Sequence, residues 1–327
     1  MRNIAFRCLS FIALTAALCS CAKNPVISIP PPPAARLYVA DFNNGVVAFS
    51  QPVMSTSTPL FTLIGSAANP SAVVVDSAGN LYVAHYNVPN IDVYHQPITA
   101  ASTPAFTMNV AIGNISGLSM DKSGNLWGAS ESSAEVFEIA PPFAGGPVTP
   151  LYFTSASFNG PVDVVFNSSG QMLVPEFNGK SLLAFTPPFA FPGPNVPAAT
   201  IALLNNVGGV HNPDQGAGCA IDLHDHLIIG LNTSGQLAIF NPPFATGNTA
   251  AGWVAPPTIN GGPSGEPLHS TFDPSGNLWV PYGQFGGANA GVVEYGPPFT
   301  SSSVPTVILA AGASSGLSWP FGLAFGP

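Results

Sequence analysis

Charge is what this chain of 327 residues has least of. Only 6% of its residues are Asp, Glu, Lys or Arg, and six Lys and Arg stand against fifteen Asp and Glu, for a net charge of −9. A nucleic-acid surface needs clustered cations to neutralise phosphates, so a nucleic-acid partner is excluded. Cysteine is scarce too: four in all, three of them within the first 21 residues. Once a leader is removed, Cys21 and Cys219 remain, which is too few for a disulfide framework or a Cys-rich metal site. Cys219 lies in an apolar run and reads as a buried thiol. There is no Gly-x-Ser-x-Gly elbow, no phosphate-binding glycine loop and no Ser-His-Asp signature. Long helical periodicities are missing as well.

What is present is glycine (34), proline (36) and 46% apolar residues. That mix describes a folded all-β chain with many turns. The first residues form an address. Arg2 and Arg7 precede an apolar stretch, Leu9–Leu18, too short to span a bilayer and shaped like a signal peptide. Leu18-Cys19-Ser20-Cys21 resembles the bacterial lipobox, with Cys21 as the acceptor. The resemblance implies a signal peptide over 1–20, a lipid anchor on Cys21 and, with Ala22 following, an outer-membrane destination. Residues 21–35, with Pro30 to Pro33 consecutive, form a stiff spacer. The expected partners are therefore a membrane, through that anchor, and a protein or glycan ligand of a monomeric body.

The body, 36–327, is a repeat. Pro70–Tyr94 reads as three short strands: apolar Ala72–Val75, expected to be buried on both faces, then Leu81–Ala84 and Ile91–Tyr94. Asp76-Ser77-Ala78-Gly79-Asn80 turns the first into the second. Second-strand runs recur from Leu37, Leu81, Leu126, Met172, Leu227 and Leu278. Their spacing of about 44 to 55 residues is room for four strands, the size of a propeller blade. In the fifth copy the turn has lost its glycine, and Asp225 must take its place. A proline pair, or a relic of one, follows each third strand: Gln51-Pro52, Gln96-Pro97, Pro141-Pro142, Pro187-Pro188, Pro242-Pro243 and Pro297-Pro298. The expectation is a six-bladed β-propeller of four-stranded blades.

The pattern Pro-x-x-[apolar]-x-[apolar]-Asp-x-x-Gly-Asn-Leu-Tyr-Val-Ala, followed by Ile-x-Val-Tyr, is similar to NHL repeats. It also resembles the six-bladed propellers of the gluconolactonase and senescence-marker group. The resemblance covers nearly all of 36–327 and implies a fold, not an activity.

The copy at Leu37 lacks an inner strand, while Phe321–Phe325 is an inner strand with nothing after it. Each supplies what the other lacks, so the last strand is expected to complete the first blade, with Leu323 beside Val39. The residues after each second strand then rim one face: Asp41, His85, Ser130 with Glu131, Glu176, Leu231 and Tyr282. Polar residues near the inner-strand entries join them: Asn69, Ser116, Asp163, His211, Asn212, Asp214, Glu266 and His269. Carboxylates and imidazoles converging there suit one divalent cation, Ca²⁺ for an oxygen-rich set and Zn²⁺ for a histidine-rich one. The primary expectation is a binding or scaffold module for protein, peptide or glycan ligands. The lactonase resemblance implies the alternative, a metal-dependent hydrolase using Glu176 or Glu266 with Asn69 or Asn212. His224 and His226 sit in a turn on the opposite face and read as turn residues.

Overall fold

The computed structural model describes residues 35–191, 193–283 and 289–327. The leader, Cys21 and nearly all of the tether lie outside the described residues.

Local chemistry makes the repeat. In the second blade, Asp76 Oδ1 accepts from the backbone N–H groups of Ala78 (2.9 Å) and Asn80 (2.8 Å), while Oδ2 takes Asn80 Nδ2 and the Tyr82 hydroxyl. The same four bonds recur at Asp121, with Trp127 Nε1 as the last donor, and at Asp273, with Trp279 Nε1. Each carboxylate thus holds a turn and pins the aromatic of the next strand. Gly79, Gly124, Gly170 and Gly276 close these turns at φ of 81 to 83°, and Asp225 takes the fifth place at φ 63°. His226 replaces the asparagine there and reaches Asp222 Oδ2 at 2.8 Å, so the His-x-His pair does belong to a turn.

Six sheets result, each running from the channel outward. Blade 1 is Pro320–Gly326, Arg36–Asp41, Gly45–Ser50 and Phe61–Leu63; blade 2 is Pro70–Val75, Leu81–His85, Asn90–Tyr94 and Phe106–Asn109. Blade 3 is Gly117–Met120, Leu126–Ser130, Glu135–Ile139 and Leu151–Phe153; blade 4 is Val165–Phe166, Met172–Pro175, Ser181–Phe185 and Ala199–Ala202. Blade 5 is Gly216–Ile221, Leu227–Leu231, Leu237–Phe240 and Gly252–Val254. In blade 6 the inner strand is split into Glu266–Pro267 and Thr271–Phe272, before Leu278–Gly283, Gly291–Tyr295 and Val307–Ala310. No helix occurs among the described residues. Two additions were not visible in the repeat: Gly146–Pro147 lies parallel to Phe106–Asn109 and covers that outer edge, and Thr258–Ile259 pairs with Gly262–Pro263 in a separate small hairpin.

The core is divided into six apolar clusters, each shared by two adjacent blades. The phenylalanines after the proline pairs pack into these seams. Phe143 meets Tyr82 of the preceding blade at 5.3 Å, and Phe189 meets Trp127 at 5.9 Å. Second strands are buried on both faces, as at Leu81–His85. The inner strand Pro70–Val75, expected to be buried on both faces, is not so at its end: Val74 and Val75 are only partly buried, because they border a central cavity of about 370 Å³.

The ring closes as its two incomplete ends require. Pro320–Gly326 pairs antiparallel with Arg36–Asp41, and Leu323 stands opposite Val39. The seam between blades 6 and 1 then holds Leu37, Val39, Trp279, Val292 and Leu323.

Candidate functional site

Antiparallel order puts inner-strand entries and second-strand exits at the same end of the channel. The cavity there, about 250 Å³, is lined from all six blades: Phe42, Trp319 and Phe321 from blade 1, Tyr86 from blade 2, and Ser116 and Glu131 from blade 3. Val162 and Phe177 of blade 4, Ala217 and Asn232 of blade 5, and Glu266, Leu268 and His269 of blade 6 complete it.

The second-strand exits in this lining are Phe42, Tyr86, Glu131, Phe177 and Asn232. Each is one residue beyond the position that the aligned repeats suggest. Asp41, His85, Ser130, Glu176, Leu231 and Tyr282 are all fully or almost fully buried. The strands end at or near these buried residues, and the residue after each of the first five is the first to reach the channel mouth. Phe42, Tyr86, Phe177 and Asn232 are lining residues that the sequence does not mark, the first three because they are aromatic rings and Asn232 because it lies one residue past the aligned position. The sixth exit is Gly283. A Cβ there would lie 2.5 Å from Trp319 Cδ1, so only glycine leaves room for the indole.

Blades 1 and 2 build an aromatic wall. Phe42 lies 4.6 Å from Trp319, 5.7 Å from Phe321 and 5.9 Å from Tyr86, and Phe321 stacks on the His269 ring at 5.7 Å. Glu131 of blade 3 and Glu266 of blade 6 line the same opening beside that wall. Burial raises the carboxyl pKa of both; at Glu266 a hydrogen bond from Asn232 partly offsets it.

At the floor, His269 borders both the mouth and the central cavity. Its Nδ1 lies 3.0 Å from Asp163 Oδ2, out of line for a hydrogen bond. The Asp163 carboxylate is held by the N–H groups of Val164 (2.9 Å) and Cys219 (3.0 Å). Cys219 is indeed buried, and its thiol is pushed up by burial and by Asp163.

Of the residues expected at the mouth, Glu131, Glu266, His269 and Ser116 meet in one cavity. Asp41 instead accepts the N–H groups of Asn43, Asn44, Ser318 and Trp319, tying the second-strand exit of blade 1 to the closing segment. His85 is enclosed between Ala68 O (3.2 Å) and Asp92 Oδ2 (3.0 Å). Burial works to raise Asp92, but His85, Ser66 and Thr107 reverse it, and its carboxyl sits below the usual range. Asp214 is likewise buried and lowered, by Asn205, Ser234 and Thr233 against burial, and it caps loops of blade 5. His211 is exposed against Trp253, next to the outermost strand. Tyr282 lies in the seam between blades 5 and 6, its hydroxyl on that of Tyr295.

Glu176 is fully buried: Oε2 accepts from Asn159 N–H, Oε1 has no partner, and burial pushes its pKa up to about 7. The donor set expected of a lactonase metal does not assemble. Asn69 donates to Phe42 O, Asn212 is exposed beside Asn205, and neither Glu176 nor Asn212 borders the mouth. Among the described residues, no three His, Cys, Asp or Glu side chains come together to hold a metal ion. The residues present therefore do not fit a divalent cation at the mouth.

Fold and site together define a six-bladed β-propeller with an aromatic and acidic cavity at one end of its channel. Solved structures similar to it include a protein of unknown function from Bacteroides caccae, at 12% identity and TM-score 0.64, matching 90% of this chain and 99% of that one. The periplasmic gluconolactonase of Pseudomonas aeruginosa matches at 14% identity and TM-score 0.57, again over 90% and 99%. A 6-phosphogluconolactonase-like protein of Bacteroides fragilis matches at 14% and 0.56, over 85% and 82%. At such identities the likeness is one of fold. No protein-family model matches the chain, and no curated protein does.

Proposed function

We propose that the protein is a membrane-tethered binding module that holds its channel mouth out to a protein, peptide or glycan ligand beyond the cytoplasm. The observation that carries this reading is the mouth cavity, lined from all six blades, where an aromatic wall from blades 1 and 2 stands beside the carboxyl groups of Glu131 and Glu266. Such a concave, mostly apolar site with a few convergent polar groups is the common form of a ligand site. The leader and the Pro30–Pro33 spacer supply the tether in this account.

Peptide and glycan arrays probed with the full chain test the binding. Hits should vanish in Asn232→Arg, which fills the mouth from an incompletely buried position, while its melting stays unchanged. Hits retained in that variant would move the site elsewhere. Cys21→Ser should release the protein from membranes; continued membrane attachment would remove the anchor. Hydrolysis of a lactone panel, lost in Glu266→Gln, would replace the binding reading with the hydrolase one.

A further inference from the structure

We propose that the mouth cavity recognises an organic ammonium group. The inference rests on the mouth being the ligand site and names what that site selects. Two features of the cavity point the same way.

The first is the aromatic wall. Phe42, Tyr86, Trp319 and Phe321 form one contiguous set of rings, with centroids 4.6 to 6.2 Å apart. Ring faces carry negative quadrupole density and attract a cation within about 6 Å of the centroid. The second is charge. Glu131 and Glu266 both line the opening, and among the described residues no Lys or Arg does. The three cations of the described body are placed elsewhere. Arg36 donates to Ile98 O at 2.8 Å, Lys122 to Ser168 O at 2.6 Å, and Lys180 is exposed outside the lining. Among the described residues the carboxylates therefore have no Lys or Arg partner at this site. A phosphate or carboxylate ligand would meet two acids and neither Lys nor Arg. A neutral sugar could stack on the rings but would leave the paired charges unanswered. An alkylammonium answers both: its methylene or methyl groups lie on the rings, and its charge sits beside the carboxylates. Either a free small amine or a lysine side chain of a peptide carries that group.

Calorimetric titration of the full chain with choline, and with 3,3-dimethylbutan-1-ol as its neutral isostere, tests the idea directly. Choline should bind at least roughly tenfold tighter than the alcohol, a preference of the size a desolvated cation–π contact supplies. Glu131→Gln and Glu266→Gln should each weaken choline and leave the alcohol unchanged. Phe42→Leu, which keeps apolar volume but loses the ring face, should do the same. A lysine-containing peptide that binds where choline does not would assign the group to a peptide. Equal binding of choline and the alcohol, or binding of methyl glucoside alone, overturns the ammonium inference while leaving the mouth a ligand site. If neither choline nor the lysine peptide binds, the inference falls, and the array hits lost in Asn232→Arg decide separately whether the mouth binds anything.

Discussion

At the scale of single residues, the most exposed prediction concerns a carboxyl that reaches no solvent. Glu176 has one hydrogen-bond donor and no charge partner, and burial raises its pKa to about 7. Between the ordinary glutamate value and that figure, the folded protein keeps a proton that the unfolded chain has lost. The contribution of this group to stability is therefore complete below the unfolded pKa and declines as pH rises to about 7. The loss amounts to roughly 3 kcal/mol. Glu176→Gln mimics the protonated form, so urea unfolding at pH 5 and pH 8 should show that variant far less pH-dependent than the parent across this window. Equal pH dependence in both would mean the carboxylate is solvated. Asp92 and Asp214, shifted the opposite way, lose their contributions only at more acid pH. A second residue-scale prediction concerns Asp121, which holds two backbone N–H groups, Asn125 and Trp127. Asp121→Ala should cost about 1–3 kcal/mol, the price of leaving such donors unmet. Asp121→Asn should cost less, since Asn167 already serves the fourth blade in that role through its Oδ1. This turn chemistry was legible in the sequence residue by residue, down to Asp225 standing in for glycine. The mouth was not. Second strands are apolar on both faces because seams lie on both sides, so no alternation marks which exit residue turns to the channel. Asp41, His85 and Glu176 are therefore buried one position short of the cavity, which their place in the repeat does not reveal.

At the scale of elements, strand pairing explains the one second-strand run with glycine at its centre. Gly128 stands opposite Phe137, and a Cβ on Gly128 would lie 2.3 Å from Phe137 Cζ. The phenyl ring fills the space that a side chain occupies in the other blades. In blade 6 the corresponding pair is Val280 opposite Val293, and in blade 1 it is Val39 opposite Val47. The Gly–Phe pair and the Val–Val pairs therefore fill the same place in the blade in different ways. Gly128→Ala alone overpacks and should destabilise by about 1–3 kcal/mol. Gly128→Val with Phe137→Val should regain most of that loss, and thermal melting of the three proteins gives the comparison. If the double variant is no better than Gly128→Ala, the ring of Phe137 matters to the seam for more than its volume. The split inner strand of blade 6 shows the limit of the repeat at this scale. Pro267 cannot donate to the ladder, and His269 N–H turns to Phe321 O of the neighbouring blade at 3.0 Å. That exchange carries His269 to the channel floor, an outcome set by contact between blades and invisible in any one copy.

At the scale of the whole molecule, the six seams form a cycle, and the cycle depends on one pairing between distant parts of the chain. Besides the ladder from Arg36–Gly326 to Asp41–Pro320, the Tyr38 hydroxyl donates to Pro327 O at 3.0 Å and Asp41 takes two N–H groups of the closing segment. Deleting Leu317–Pro327 strips the inner strand from blade 1 and opens the seam to blade 6. Leu317 and Leu323 alone account for about 1.5–3 kcal/mol each of buried side chain, against a total stability of about 5–15 kcal/mol for a domain. The deleted form should be aggregated or rapidly cut by protease, and a soluble form with unchanged melting would refute the role of the strand. That result alone would not separate loss of the strand from damage to a chain terminus. A circular permutant does so. Arg36 and Gly326 are paired neighbours, so a short Gly/Ser linker can join Pro327 to Arg36, with new ends opened between Ala101 and Ser102 in the exposed turn before Phe106–Asn109. If the strand matters because it completes a sheet, the permutant should melt near the parent temperature, since every ladder and seam is retained. Removing Leu317–Pro327 from the permutant, with the linker rejoined, should then destabilise it as severely as in the parent, because the first blade would again lack the strand that borders the channel. A permutant that fails to fold while retaining both strands would show that closure needs the order of the chain as well as the contacts.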